Sequence, residues 1–171
     1  IIATTYWLDV TEDLALKDLY YGSRPVVALL TIDNYDDLCR GLNDNARSAL
    51  RSAVDEQIEL WTKPTNGLVL RYDRDRYLFI FEEQYLTALQ EAKFALLDAV
   101  RKINSTNGLP ASMSIGIGMD TDFAELLQFA SLATEMALSR GGDQAVIKNR
   151  FNFEFYGGRA KETERRTKVK S

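Results

Sequence analysis

Hydrophobic positions along the chain fall into runs with two different spacings. Pro25–Ile32, PVVALLTI, is an unbroken apolar run, which is typical of a strand that is buried on both faces of a sheet. Ala111–Gly118, ASMSIGIG, alternates instead, and this spacing predicts a strand with Met113, Ile115 and Ile117 on one face. We expect the first of these strands to be central in a sheet.

Four other segments have the three-to-four spacing of helices that pack on one face. The spacing predicts helices over residues 45–61, 85–103 and 123–138. A shorter helix is predicted over residues 11–21, because a threonine and two acids precede its apolar positions. Residues 4–10, TTYWLDV, alternate as a strand would.

The stretch Leu70–Phe81, LRYDRDRYLFIF, has apolar runs on both sides of four alternating charges and predicts a hairpin. A two-residue hairpin turn needs positive φ, which Asp73 or Asp75 would supply in the absence of glycine. A last strand is predicted at 144–149, QAVIKN, with FNFEFY as its potential partner.

The order of these elements is strand, helix, hairpin, helix, strand, helix, strand. It contains the βαββαβ core of ferredoxin-like folds and predicts an α/β (α+β) domain with a mixed central sheet flanked by helices. A chain of 171 residues with 46% apolar content can bury one good core. We therefore expect one domain at 25–156, with linkers at 1–24 and 157–171.

Composition and charge exclude several classes of function. The chain has no histidine and a single cysteine, Cys39, so we expect a reducing compartment and no zinc site, disulfide framework or imidazole-dependent triad. Residues 157–171 have six basic and two acidic residues, which leaves an acidic body that is not expected to bind nucleic acid. No apolar run reaches the roughly 18–20 residues of a membrane span, so this segment is not expected to insert into a membrane.

Three acids follow the predicted central strand: Asp33, Asp36 and Asp37. Carboxylates at the carboxyl end of such a strand suit Mg²⁺ that is bound together with a nucleotide. Acids just before a helix are also ordinary capping residues, and their spacing alone favours capping.

The hairpin turn supplies further candidates, because it is expected to lie beside the first central strand. Asp33 and Asp75 would form a metal site from two separate elements, with Asp73 beside them. Arg74 and Arg76 would pair with these acids or contact a phosphate. A solvated charged turn is the competing interpretation, and spacing alone slightly favours it.

The residues from Pro25 to Asn149 resemble a GGDEF, or diguanylate cyclase, domain. Such domains read roughly LDIDxFK, RYGGDEF, TxSIGIA and ADxALYxAK, and the corresponding stretches here are LLTIDNYDDL, RYDRDRYLFIF, ASMSIGIG and LLQFASLATEMAL.

Several positions depart from the pattern of that family. DRDRY, Asp73–Tyr77, replaces GGDEF, so charged side chains stand where two glycines let a guanine nucleotide lie on the backbone. Thr31 takes the place of the first metal-binding aspartate, while Asp33 and Asp75 match two other acidic positions of the motifs. KPTNG stands where the RxxD site of product inhibition would be. The resemblance therefore implies a degenerate domain that does not make cyclic di-GMP.

Both ends of the chain are similar to linkers of one larger family. YWLDVTED resembles the exit from a PAS domain, and FYGGRAKETERRTKVKS resembles the segment before the DHH/DHHA1 module of GdpP (YybT) cyclic di-AMP phosphodiesterases. The resemblance implies the cytoplasmic domain of a membrane-anchored bacterial protein, in which a DHH/DHHA1 module performs the phosphodiesterase reaction. It also implies binding of ATP with Mg²⁺, weak ATP hydrolysis and a potential homodimer.

Two other functions stay open at this point. The first is a structural dimerisation or signal-relay spacer without nucleotide binding. The second is a working nucleotide cyclase with an altered motif. The missing glycines and the missing pair of metal-binding aspartates count against the cyclase. Nothing in the sequence separates a nucleotide-regulated domain from a spacer.

Overall fold

The computed structural model describes residues 11–157, so the predicted strand at 4–10 and the basic residues 158–171 lie outside the described part. Two 3-10 turns, at Lys63–Thr65 and Glu83–Tyr85, accompany the helices and strands. In chain order the helices and strands are α1 (Thr11–Gly22), β1 (Pro25–Ile32), α2 (Tyr35–Cys39), α3 (Asp44–Thr62), β2 (Leu68–Arg71), β3 (Arg76–Glu82), α4 (Leu86–Glu91), α5 (Leu96–Arg101), β4 (Met113–Gly118), α6 (Phe123–Ser139), β5 (Gln144–Lys148) and β6 (Phe153–Gly157).

The strands form one sheet in the order β2-β3-β1-β4-β5-β6. β4 and β5 are parallel, and every other neighbouring pair is antiparallel, which confirms the mixed sheet. β1 pairs with β3 on one side and β4 on the other, so its predicted central position is confirmed. β5 also pairs with β6, as the sequence had suggested.

β1 contributes to the core on both faces of the sheet, because successive side chains of a strand point to opposite sides. Its even-numbered residues, such as Leu30, pack with buried residues of α3 and α5, including Val54 and Leu97. Val27 and Leu29 pack on the other face with residues of α6. The unbroken apolar run in the sequence follows from this double burial.

α6 lies unusually close to β4, because glycines occupy the face of β4 that it covers. A Cβ atom on Gly116 would lie 2.4 Å from the Thr134 nitrogen and 2.5 Å from the Ala130 oxygen. A Cβ on Gly118 would lie 2.0 Å from the Leu126 oxygen. The two glycines of SIGIG therefore let the helix backbone rest directly on the strand.

The single helix predicted over residues 85–103 is wrong. The chain forms two short helices, α4 and α5, and between them Lys93 and Phe94 have positive φ values of 50° and 52°. Phe94 is completely buried, and its ring centroid lies 5.2 Å from that of Tyr156 and 6.4 Å from that of Trp61. Burial of this aromatic ring outweighs the cost of interrupting the helix.

The tight turn predicted for the hairpin is also wrong. Four residues, 72–75, lie between β2 and β3, and neither Asp73 nor Asp75 has a positive φ. The backbone nitrogens of Tyr72 and Asp73 both donate to the Arg76 oxygen, at 3.2 and 3.4 Å. The longer connection closes the hairpin without the conformation that a two-residue turn requires.

We expect Gly116→Ala to lower the free energy of unfolding by about 1–3 kcal/mol, the usual cost of overpacking a core. The added methyl group would force α6 away from β4, since it would meet the Thr134 hydroxyl and also the backbone nitrogen of Thr134 and the backbone oxygen of Ala130. Urea unfolding followed by circular dichroism measures the loss. Gly22→Ala is the control, because its Cβ would meet only Gln84 Cβ at an ordinary 3.4 Å. Equal losses in the two variants would contradict the close approach.

Candidate functional site

Asp33 follows β1, and its carboxylate is held by a turn that is distant in sequence but adjacent in the fold. Its Oδ2 accepts a hydrogen bond from the Asp143 backbone nitrogen at 2.9 Å and from the Ser112 hydroxyl at 3.2 Å. Gly142 lies directly over the carboxylate, since a Cβ there would come within 2.6 Å of the same oxygen. Asp33 thus joins the end of β1 to the α6–β5 turn and to the segment before β4.

The second oxygen of this carboxylate, Oδ1, is buried and has no hydrogen-bond partner within residues 11–157. Burial raises the pKa of Asp33, while the hydrogen bond from the Asp143 nitrogen and the nearby hydroxyls of Ser114 and Ser112 lower it in part. Ser114 Oγ is itself buried and forms no hydrogen bond of normal geometry in the described part of the chain. A ligand would reach Asp33 Oδ1 and Ser114 Oγ only if the surrounding residues moved, because both atoms are closed to solvent.

The α6–β5 turn has positive φ at three consecutive residues, Gly141, Gly142 and Asp143. The nitrogens of the two glycines donate to the oxygens of Leu138 and Ala137, each at 3.0 Å, which is the pattern of a helix C-terminus. The interpretation of this turn as a helix stop is confirmed.

Arg101 of α5 fixes the turn from outside, because its Nε lies 2.7 and 2.8 Å from the two carboxylate oxygens of Asp143. This pair lines an open cavity of about 620 Å³ beside Asp33. Sequence reasoning missed both residues. They lie 42 positions apart, and no local spacing connects an arginine at the end of one helix with an aspartate after another.

The charged hairpin turn is attached to α2 through Arg74. Its guanidinium lies 3.2 Å from the Asp36 carboxylate and 5.7 Å from the centre of the Tyr35 ring. Both members of the ion pair are largely exposed, so the pair contributes about 0–1 kcal/mol. The turn therefore lies against the first turn of α2, and the contact that holds it there takes little energy to break.

A polar network beneath the hairpin connects β3 with α3. The Tyr77 hydroxyl donates to Asp55 Oδ1 at 2.7 Å, and Arg71 lies 3.4 Å from the other oxygen of Asp55. Burial, and then the hydrogen bond to Asp55, raise the pKa of Tyr77 above the ordinary value of a tyrosine. These groups, also absent from the sequence-based candidates, hold the hairpin on α3.

The two proposed metal ligands lie on different sides of the end of β1. The Asp75 backbone oxygen accepts from the Ile32 nitrogen at 2.9 Å on the β3 side, whereas the Asp33 carboxylate meets groups on the β4 and β5 side. Within residues 11–157, no group of three or more acidic or cysteine side chains is placed to hold a metal ion. The joint site of Asp33 and Asp75 stays a prediction.

None of the three acids is the N-cap residue of α2. That position belongs to Asn34, whose side chain makes no capping hydrogen bond, while Asp36 and Asp37 lie in the first helical turn. Asp33 accepts from Asp143 instead of from the nitrogens of α2. Its carboxylate is therefore a connector between segments distant in sequence.

The sheet order, the hairpin beside the central strand and the helix on the glycine face of β4 define the fold of GGDEF domains. The structure matches the active GGEEF domain of a diguanylate cyclase from Vibrio cholerae with a TM-score of 0.62 and 13% identity, over 80% of this chain and 89% of that one. It matches the FimX GGDEF domain from Pseudomonas aeruginosa with a TM-score of 0.59 and 18% identity, over 81% and 89% of the two chains. At such identities the likeness shows the fold.

The chain belongs to the GGDEF domains of the family described as cyclic-di-AMP phosphodiesterase GdpP-like, whose sequence profile matches residues 30–155. It is 36% identical to cyclic-di-AMP phosphodiesterase GdpP of Bacillus subtilis over 168 residues, which cover 97% of this chain and 26% of that protein. It is also 36% identical to cyclic-di-AMP phosphodiesterase PdeA of Listeria monocytogenes, over 97% of this chain and 26% of the relative. The chain thus spans about a quarter of the length of these relatives. In the part of the chain that the structure covers, no helix is both long and apolar enough to cross a membrane.

We expect Asp33→Asn to stabilise the domain more at pH 7 than near pH 4. Because the pKa of Asp33 is raised in the folded protein, its ionised form lowers the free energy of unfolding. This loss is complete at pH values above the raised pKa and disappears at pH values below the ordinary value of 3.8. Asparagine keeps an acceptor for the Asp143 nitrogen and removes the buried charge. Urea unfolding of both proteins in EDTA, at the two pH values, checks this. An equal difference in stability at both pH values would contradict the assignment.

Proposed function

We propose that this domain regulates a cyclic di-AMP phosphodiesterase and does not synthesise cyclic di-GMP. The observation that carries the proposal is the hairpin turn, where Asp73 and Arg74 stand in place of the two glycines of the GGDEF motif and Arg74 contacts α2. Side chains at these positions obstruct the close approach of a nucleotide to the backbone. Thr31, paired with Arg76 across the sheet, also supplies no carboxylate for a metal.

We further propose that Mg²⁺-ATP binds weakly between Asp33 and the turn Asp73–Arg76, and is hydrolysed slowly there. Mg²⁺ bound with a nucleotide usually needs only one or two protein carboxylates, because phosphates and water complete its coordination. Asp33, whose buried Oδ1 has no hydrogen-bond partner within residues 11–157, would supply the first ligand after the residues around it move, and Asp75 would supply the second.

The arginines of the turn would contact the phosphates in this arrangement. Arg74 must leave Asp36 to do so, and the exposure of that ion pair keeps the cost small. Arg76 makes no ion pair within residues 11–157 and is exposed, so it is available without any rearrangement.

In the whole protein, we propose that this domain lies between a PAS sensor and a DHH/DHHA1 module, on the cytoplasmic side of a membrane anchor. The names and lengths of the relatives support a multidomain phosphodiesterase of which this chain is one part. The chain has no histidine, so the metal-dependent phosphodiester hydrolysis belongs to the other module. A ligand here acts on that module only through a difference in affinity between two arrangements, typically worth about 1–3 kcal/mol.

The second candidate is a spacer, including a dimerisation spacer, that binds no nucleotide. Two observations favour it. Asp33 already has structural partners in Ser112 and Asp143, and Arg74 already pairs with Asp36 of α2. Both contacts therefore account for these side chains without any ligand.

We expect calorimetric titration of the wild-type domain with Mg²⁺-ATP to show weak binding, with a dissociation constant on the order of 0.1–1 mM, that is, about 4–5.5 kcal/mol. Asp33→Ala and Asp75→Ala should each weaken binding at least about tenfold and slow phosphate release, because each removes one carboxylate from Mg²⁺. Glu91→Ala, an exposed acid at the end of α4, is the matched control and should leave binding unchanged.

Two results would argue against this proposal. Binding that both aspartate variants leave intact would place the nucleotide elsewhere on the domain. No heat and no phosphate release in the wild type would favour the spacer.

A further inference from the structure

The sheet has one apolar surface that no helix covers within residues 11–157. α6 lies over β4 and its neighbours, while β2 and β3 have no helix on the same face. Because Leu68 is paired with Ile80 and Leu70 with Leu78, these side chains point to that uncovered face. Leu68 is 65% exposed and Leu70 is 54% exposed.

The flank of α6 completes this surface as a groove. Met136 and Phe129 lie on the flank towards β5 and β6. Met136 packs against the cluster that includes Val146 of β5, and the Phe129 ring lies against Lys148. Leu127, which is 51% exposed, lies on the opposite flank by helical geometry and so faces β3. We call the surface formed by Leu68, Leu70, Leu78, Ile80 and Leu127 the open groove.

The open groove has the dimensions of one helix. The distance from β4 to β3 is two strand spacings, about 10 Å, and neighbouring helices pack at about 8–10 Å. A helix centred over β3 would therefore lie at normal packing distance from α6. β3 has seven residues and is about 24 Å long.

The domain also contains a helix with an unpartnered apolar stripe. α1 has no buried residue, although Leu16, Leu19 and Tyr20 are 66%, 67% and 63% exposed. These three residues share one side of the helix with Ala15, because they follow Ala15 by one, four and five positions. α1 is 12 residues, or about 18 Å, in length, so it fits within the groove.

We propose that α1 docks into the open groove of its own domain. In the described arrangement α1 lies near the Glu83–Tyr85 turn, where Gly22 approaches Gln84. α1 therefore has two positions, one at that turn and one across β2 and β3. The docked position buries both apolar surfaces at once.

The connection and the charges favour α1 of the same chain as the occupant. Only Ser23 and Arg24 separate α1 from β1, so the helix is present at high effective concentration beside the groove. Docked α1 runs antiparallel to β1, which brings its acidic first turn, Glu12 and Asp13, to the end of the groove at Arg76. Arg76 is exposed and makes no ion pair within the described residues.

Cross-linking tests the docked position in the full 171-residue chain with Cys39→Ser as background. Leu16→Cys combined with Leu70→Cys should react with a short bis-maleimide to give an intramolecular bridge, read by mass spectrometry and by non-reducing gel. Asp18→Cys with Leu70→Cys is the matched control, because Asp18 lies on the other side of α1. We expect the first pair to bridge at least about tenfold faster. The three substituted side chains other than Cys39, which are Leu16, Asp18 and Leu70, are exposed, so the core is not disturbed.

Equal rates for the two pairs would overturn the proposal. Bridges that form only between chains, giving covalent dimers, would also overturn it and assign the groove to a second copy.

Hydrogen exchange gives an independent measurement without cysteines. A 12-residue helix without tertiary contacts is marginal in water, so undocked α1 exchanges quickly. Leu70→Glu should raise the exchange rate of the α1 amides at least about fivefold, while Leu109→Glu, an exposed leucine in the loop before β4, should not. Unchanged exchange in Leu70→Glu would overturn the proposal. The inference does not depend on nucleotide binding, so neither test is affected by the outcome of the ATP titration.

Discussion

The direct contact between α6 and the glycines of β4 fixes the geometry on which the candidate site depends. Gly116 and Gly118 set the depth of the helix on the sheet, and that depth sets where its last turn ends. The turn then closes over Asp33, with Gly142 in contact with the carboxylate and the Asp143 nitrogen bonded to it. A packing constraint on one face of the sheet thus positions the carboxylate of Asp33 at its edge.

The hairpin accommodates four charged or polar residues without a strained backbone. Its connection is longer than a two-residue turn, so the chain needs no glycine there. Arg74 contacts α2, and Tyr77 and Arg71 hold the hairpin on Asp55 of α3. The Tyr77 ring is buried and its hydrogen bond to Asp55 is partly buried, whereas the contact of Arg74 is exposed. This division agrees with a rigid hairpin whose outer turn is able to open.

Much of the fold could be predicted from the sequence, because its signals are local. Apolar spacing located β1, α3 and α6, and the alternation in ASMSIGIG located β4. The break before α5 could not be predicted, since it follows from burial of Phe94 against Trp61 and Tyr156, which are distant in sequence. The environment of Asp33 was inaccessible for the same reason. Its partners Ser112 and Asp143 lie 79 and 110 positions away, and only the folded sheet brings them together.

The central claim is that this domain transmits a nucleotide signal to a phosphodiesterase module, and it is best tested in the whole enzyme. The measurement is the rate of cyclic di-AMP cleavage by the full-length protein with and without ATP, in wild type and in Asp33→Ala. The account predicts that ATP changes the wild-type rate by about 5–150-fold, the range of typical coupling energies, and that Asp33→Ala abolishes most of this change. An ATP effect that persists undiminished in Asp33→Ala, or the absence of any ATP effect in the wild type, would contradict it.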